Sequence, residues 1–196
     1  MLSVKAVLTW SRSGNYYSNS PWRGRFATEG GSLLINQAIH TLDLMQWFAG
    51  GVMRVKGVVD SGPLADTIEN EDSAMATLAM YNGARGLFWA SNNHTADSPL
   101  LLEIHCEKGL LQLRDNILWQ ITADTPVKLA NDNPPTDNGK NYWGAGHQKA
   151  IAHFYQAVQN GDNNDYIDIQ QAAKSLHLVE AIYRSSQLRQ WINIPR

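Results

Sequence analysis

Between residues 52 and 121 the chain is a succession of short apolar or alternating segments closed by turn-forming pairs, and this limits the fold more than any other feature. Segments 52–60, 73–81, 84–91, 99–106, 109–114 and 117–121 read as strands, because side chains along a strand point alternately to its two faces. Asn82-Gly83 is a hairpin signal, since both residue types tolerate the positive φ that tight hairpin turns demand. Glu107-Lys108 and Asp115-Asn116 divide the later segments in the same way. Strands joined by hairpins pair antiparallel, so this stretch predicts a large and largely antiparallel sheet.

The flanks add two strands and three helices. Leu2, Val4, Ala6, Leu8 and Trp10 alternate with Ser3, Lys5 and Thr9, a further strand over 2–10. Residues 32–48 predict a helix that ends near Ala49-Gly50, with Ser32 as its N-cap after two glycines. An amphipathic helix follows at 145–160, with Ile151, Phe154, Tyr155 and Val158 on one side. Another at 169–189 sets Ala172, Leu176, Val179 and Tyr183 on one stripe, with Asp168 and Gln171 as a capping box. Residues 191–194 return as a short strand. The tract 124–143, rich in Asp and Asn around Pro134-Pro135, reads as a long loop.

Residues 11–31 are rich in Gly, Ser and Asn yet hold Tyr16, Tyr17, Trp22 and Phe26. Such a loop either packs over a pocket or is simply pinned by its aromatics. The sum is one α+β domain over 1–196: a large, mostly antiparallel open sheet with helices on one face. The other face needs cover, and a second subunit is the economical source.

A chain of 196 residues can bury one good core but not two. Its formal charge of -2 gives no field to draw in nucleic acid or an anionic membrane. Cys106 is the sole cysteine, so no intramolecular disulfide can form, which suits a reducing compartment. The N-terminus lacks the apolar block of a secretory signal, and no run reaches the ~18 apolar residues of a membrane span. The expectation is a soluble, cytoplasmic protein. No Gly-x-Gly-x-x-Gly follows a strand, so the chain offers no dinucleotide site of its own.

Asn36, His40, Asp43 and Trp47 share one face of the predicted helix 32–48. A histidine there can take or give a proton near neutral pH, with neighbouring amides or carboxylates setting its tautomer. The same spacing also fits a histidine that only bonds Asp43 over a buried patch. Metal binding is disfavoured: His40 and Asp43 make two ligands and nothing nearby supplies a third. His147 faces the same pocket or merely occupies the first turn of its helix. Arg12, Arg23 and Arg25 hold hydroxyls or a carboxylate, or are solvated. His105 and Cys106 are no nucleophile pair, since adjacent strand residues point to opposite faces.

The segment EGGSLLINQAIHTLDLMQWFAG at 29–50 resembles the opening of the C-terminal domain in the glucose–fructose oxidoreductase, inositol dehydrogenase and rhizopine catabolism (Gfo/Idh/MocA) family. Further pieces match in family order: WSRSGNYYSNSPWRG at 10–24, IENEDSAMATLAMYNGARGLFWAS at 68–91, LEIHCEKG at 102–109, GHQKAIAHFYQAV at 146–158 and AIYRSS at 181–186. The resemblance implies hydride exchange between NAD or NADP and a hydroxyl-bearing carbon of a sugar, cyclitol or related polyol. It implies that His40 accepts the proton or holds the reacting hydroxyl, and that Asn36 stands where many members carry an aspartate. Asp43 becomes an orienting or structural acid, while Arg12, Arg23 and His147 border the substrate cleft.

It also implies subunit contacts through the open sheet, and a Rossmann domain with a Glu-Lys-Pro motif that should precede residue 1. The expectation is therefore a chain that binds no cofactor alone and is inactive unless a Rossmann domain, in a longer chain or separately encoded, completes it. A non-catalytic module that binds a small polyhydroxylated molecule, or only dimerises, is the alternative. A lyase or hydrolase that uses the cofactor transiently is a third reading, and it needs the same missing domain.

Overall fold

Alternation in the sequence becomes burial in the structure. Along β1 (Ser3–Thr9), Val4, Ala6 and Leu8 are buried while Ser3, Lys5 and Val7 are only partly so. The computed structural model describes residues 1–123, 125–131, 146–162 and 166–195. Its strands continue as β2 (Val52–Asp60), β3 (Ser73–Met80), β4 (Arg85–Ser91), β5 (Leu101–Cys106), β6 (Gly109–Arg114), β7 (Ile117–Thr122), β8 (Thr125–Asn131) and β9 (Ile192–Asn193). They form one sheet in the order β8-β7-β6-β5-β1-β4-β3-β2-β9. β1 runs parallel to β4, and the other pairs are antiparallel. Each expected strand is present, with ends shifted by a residue or two.

β8 corrects the expectation of a loop over 124–143. All seven of its residues are exposed, so burial imposes no alternation that a sequence could display. Pairing with β7 holds it instead. The remainder of that tract, 132–143, lies outside the described residues.

The turns follow backbone chemistry. Asp115 and Asn116 both adopt positive φ, 55° and 57°, as a two-residue hairpin turn needs. The Asn82-Gly83 turn is wider than expected. β3 ends at Met80, β4 begins at Arg85, and Met80 N–H donates to Ala84 O at 3.0 Å. Asn82 is otherwise engaged: its Nδ2 donates to Ala49 O at 3.0 Å, tying the turn to the end of the preceding helix.

Two helices cover one face. α3 (Ile39–Phe48) brings Leu42 and Met45, and α5 (Ile169–Leu188) brings Leu178, Val179 and Ile182. They close over Val4, Ala6, Val55, Leu78, Phe88 and Ala90 in a single apolar cluster. The expected inward stripe of α5 is corrected: Ala172 and Leu176 face solvent, and Ser175, Leu178, Val179, Ile182 and Ser185 face in. The hydroxyl of Ser185 explains its burial, because it accepts the Gly57 N–H at 3.0 Å and donates to Gln190 O at 2.6 Å. The capping box of α5 forms as expected: Gln171 N–H donates to Asp168 Oδ1 at 2.7 Å.

α4 (Gly146–Asn160) buries only Ala157, so the apolar side with Ile151, Phe154, Tyr155 and Val158 stays exposed. The sheet face away from α3 and α5 is also open. Val58, Met75, Trp89 and Val7 stand in register across β2, β3, β4 and β1, and Val58 and Met75 are each more than half exposed.

Candidate functional site

The first finding at the site is that the helix begins late. α3 starts at Ile39, and residues 33–37 form turns before it. Ser32 is not its N-cap; Ala38 holds that position without a side-chain cap bond. Asn36 N–H donates to Ser32 O and Gln37 N–H to Leu33 O, in helical fashion, but Ala38 N–H reaches back to Leu33 O as well, a five-residue step. That wide step offsets residues 32–37 from α3. The expected single face of Asn36, His40, Asp43 and Trp47 is therefore divided.

The turn is held from outside. Glu71, buried just before β3, accepts from Leu34 N–H at 2.7 Å, Ser32 N–H at 3.3 Å and the Tyr183 hydroxyl at 2.7 Å, all on Oε1. Its Oε2 is buried and has no hydrogen-bond partner among the described residues. Burial pushes the Glu71 carboxyl above its usual range, and these donors only partly offset that. Burial and the neighbouring Glu71 push the Tyr183 phenol far up, so it stays a donor. Gly31 lets this contact form, because a Cβ there would collide with the Tyr183 hydroxyl.

The aromatic loop is knitted to the same turn. It contains two short helices, α1 (Gly14–Ser18) and α2 (Phe26–Glu29). Tyr17 is buried with Leu64 and Ile68 in a small second core, and its hydroxyl accepts from Asn92 Nδ2 at 2.8 Å and Ser32 Oγ at 3.2 Å. Asn92 Nδ2 also donates to Gln37 Oε1 at 3.1 Å. Burial pushes the Tyr17 phenol up, against those two bonds. The loop thus both packs and borders the polar turn.

The candidate residues fall into separate neighbourhoods. Asn36 donates through Nδ2 to Glu29 Oε1 at 2.8 Å, and Glu29 Oε2 accepts the Gly24 N–H at 2.5 Å. Gly24 has a φ of 67°, which favours glycine. His40 is exposed in the first turn of α3, and its imidazole makes no hydrogen bond among the described residues. Asp43 turns to α5, where it accepts from Ser175 Oγ at 2.5 Å, and it lines a cavity of about 360 Å³ with Trp47, Tyr81, Lys174 and His177.

Arg12 and Arg23 do come together, both against the ring of Tyr16. Their guanidinium carbons lie 5.2 and 4.2 Å from the centre of Tyr16, and each also meets a tryptophan, Trp10 or Trp22. Arg12 is further paired with Asp97 at 2.7 Å. Neither is the freely solvated loop arginine that composition allowed, whereas Arg25 is exposed and pairs with Glu69 at 2.8 Å. His147 is exposed on α4. Sequence reasoning missed Glu29, Glu71, Asn92 and Tyr183 as the site's supports. Glu29 and Glu71 belong to no periodic segment, so nothing local distinguishes them from surface acids.

Among the described residues no group of three or more His, Cys, Asp or Glu could hold a metal ion. None of their helices is long and apolar enough to cross a membrane. The turn from β1 into the five-residue α1 carries one glycine, Gly14.

An open, largely antiparallel sheet with helices on one face defines an α+β domain, with a network-held polar turn ahead of an exposed histidine. The chain belongs to the GFO/IDH/MocA C-terminal domain family, whose model matches residues 1–112. No curated protein matches it.

Solved structures are similar over essentially the whole chain. The WlbA dehydrogenase from Bordetella pertussis, in complex with NADH and UDP-GlcNAcA, is 25% identical with a TM-score of 0.76, covering 100% of this chain and 55% of its own. A levoglucosan dehydrogenase in complex with NADH is 21% identical with a TM-score of 0.79, covering 100% and 59%. An oxidoreductase from Agrobacterium radiobacter, in complex with NAD+, L-tartaric acid and magnesium, is 17% identical with a TM-score of 0.78, covering 98% and 56%. The chain therefore spans little more than half the length of these relatives.

Proposed function

We propose that this chain is the substrate-binding and oligomerisation part of an NAD(P)-dependent oxidoreductase acting on a sugar, cyclitol or related polyol. The observation that carries this reading is Asn36, tethered to Glu29 at 2.8 Å, one turn ahead of an exposed His40 with no competing bond. An exposed imidazole can accept the proton of a bound hydroxyl, and an amide oxygen on the preceding turn can accept a hydrogen bond from a polyol. Arg12, Arg23 and His147 border the cleft, and Asp43 supports α3 against α5. The complex of the WlbA dehydrogenase with NADH and a nucleotide sugar acid supports the same class.

Hydride transfer needs the donor held in one pose against the reacting carbon. A dinucleotide-binding domain, contiguous in a longer protein or separately encoded, supplies that pose and the NAD or NADP, and the lone chain is inactive. Its single cysteine suits the cytoplasm. One observation favours a second reading, a module that only dimerises or binds a small polyol: the in-register apolar row Val58, Met75 and Trp89 is open to a second copy.

Calorimetric titration of the purified chain with NADH and NADPH, repeated with a dinucleotide-binding domain present, separates the two. Silence alone and binding with the domain is the expected result. Binding by the lone chain, or none in either case, overturns the oxidoreductase reading as stated.

A further inference from the structure

We propose that Glu29 is a positioning residue that fixes the Asn36 side chain with its carbonyl oxygen turned away from the carboxylate, so that a ligand reaching that oxygen must donate a hydrogen bond, as a hydroxyl does. This rests on the oxidoreductase reading for its ligand class, but the geometry stands apart from it. A carboxylate has only acceptors to offer, so the amide nitrogen of Asn36 must be the atom that faces Glu29 Oε1 at 2.8 Å. The carbonyl oxygen is thereby directed elsewhere, and it accepts nothing among the described residues. Free asparagine amides flip between donor and acceptor; this one is held as an acceptor.

Glu29 is itself held. Its second oxygen takes the N–H of Gly24, whose positive φ aims that bond, and Gly24 O accepts Glu69 N–H at 2.8 Å. The C-terminal residue of α2 is in this way locked to the loop bearing Arg23, and the loop is locked to the turn bearing Asn36. The negative charge that an aspartate at position 36 would carry sits one bond further out, on Glu29. The site keeps a carboxylate, but presents a polarised neutral oxygen to the ligand. A hydroxyl satisfies such an acceptor, whereas a ligand carboxylate placed there would meet an oxygen backed by a like charge.

The test is NMR of the 15N-labelled full chain as wild type, as Glu29→Gln, and as the exchanged pair Glu29→Gln with Asn36→Asp. The Asn36 side-chain amide, assigned by its loss in Asn36→Asp, is expected downfield in the wild type and shifted upfield in Glu29→Gln. In the exchanged pair a downfield amide returns, now from the introduced glutamine, and refolding of the pair covers the case in which a single variant fails to fold. Asn36→Asp alone places two carboxylates at hydrogen-bond distance and acquires a pH-dependent stability that the exchanged pair lacks. An Asn36 resonance that ignores Glu29→Gln overturns the proposal.

Titration with myo-inositol and levoglucosan, read on the same spectra, separates this from the parent reading. Binding that weakens about 10-fold or more in Glu29→Gln and recovers in the exchanged pair supports both. A wild type that responds to neither polyol, while the amide still depends on Glu29, counts against the polyol reading and leaves the orientation of Asn36 upheld.

Discussion

The Tyr183 hydroxyl reaches across 112 residues of sequence to donate to Glu71 Oε1 at 2.7 Å, and that one oxygen also takes the backbone N–H groups of Ser32 and Leu34. A residue of the last long helix thus fixes a carboxylate that fixes the turn ahead of α3. Changing Tyr183→Phe removes the only side-chain donor of Glu71 among these contacts and leaves a buried carboxylate less satisfied. We expect a loss of about 1.5–3 kcal/mol in unfolding free energy, measured by urea denaturation near neutral pH. An unchanged midpoint and slope would show that the bond contributes nothing.

Glu71 should give the protein a pH dependence opposite in sign to that of a salt-bridged carboxylate. Because burial raises its carboxyl above the ordinary value, the native state holds the proton more tightly than the unfolded chain does. Its contribution is fully present below the unfolded value of about 4.3 and is lost as pH rises through the raised native value. Glu71→Gln has no such proton. The stability difference between wild type and variant should shift in the variant's favour as pH rises from 4 to 7.5 in parallel denaturation series; a constant difference would refute the assignment.

Gly31 and Tyr183 should be energetically coupled. A methyl at position 31 collides with the Tyr183 hydroxyl and lies 3.2 Å from Ile35 Cγ2. Gly31→Ala is expected to cost about 1–3 kcal/mol by overpacking. Adding it to Tyr183→Phe should cost less than adding it to the wild type, with a coupling of at least about 0.5 kcal/mol in a double-mutant cycle. Strict additivity would mean that the two residues do not meet.

The open sheet face should be the contact between copies. Met75 pairs with Val58 on one side and Trp89 on the other, and all three are exposed. Met75→Glu puts an unpaired charge at the middle of that row, so light scattering should find a dimer in the wild type and a monomer in the variant. A wild type that is monomeric throughout the micromolar range would remove the oligomer from the proposal.

The parts of the fold legible in the sequence were those written in short-range patterns. Strands β1 to β4 announced themselves because one face of each is packed, β5 to β7 through apolar runs divided by turn pairs, and Asp115-Asn116 because its turn requires positive φ at both residues. β8 was hidden, since a strand exposed on both faces carries no period. In α5, Ser175 and Ser185 lie on the buried stripe, and hydrogen bonds to partners outside the helix, among them Asp43, Gln46, Gly57 and Gln190, make that burial favourable. Asn36 and His40 drew attention through their spacing, yet the helix that would have joined them on one face does not begin until Ile39.

By itself, then, the sequence determined an α+β chain with a mostly antiparallel open sheet, and it brought out Asn36, His40, Asp43, Arg12, Arg23 and His147 as the polar candidates. Local rules suffice for that much, because alternation and turn geometry act over a few residues. Only the tertiary structure decided which partners those candidates take: Glu29 for Asn36, Ser175 for Asp43, Tyr16 for both arginines. The Asp43–Ser175 bond spans 132 residues, and the other contacts join residues four to seven apart in an irregular loop where no period pairs them. Burial, which makes an unpaired polar group costly, selects them once the chain has closed around the turn.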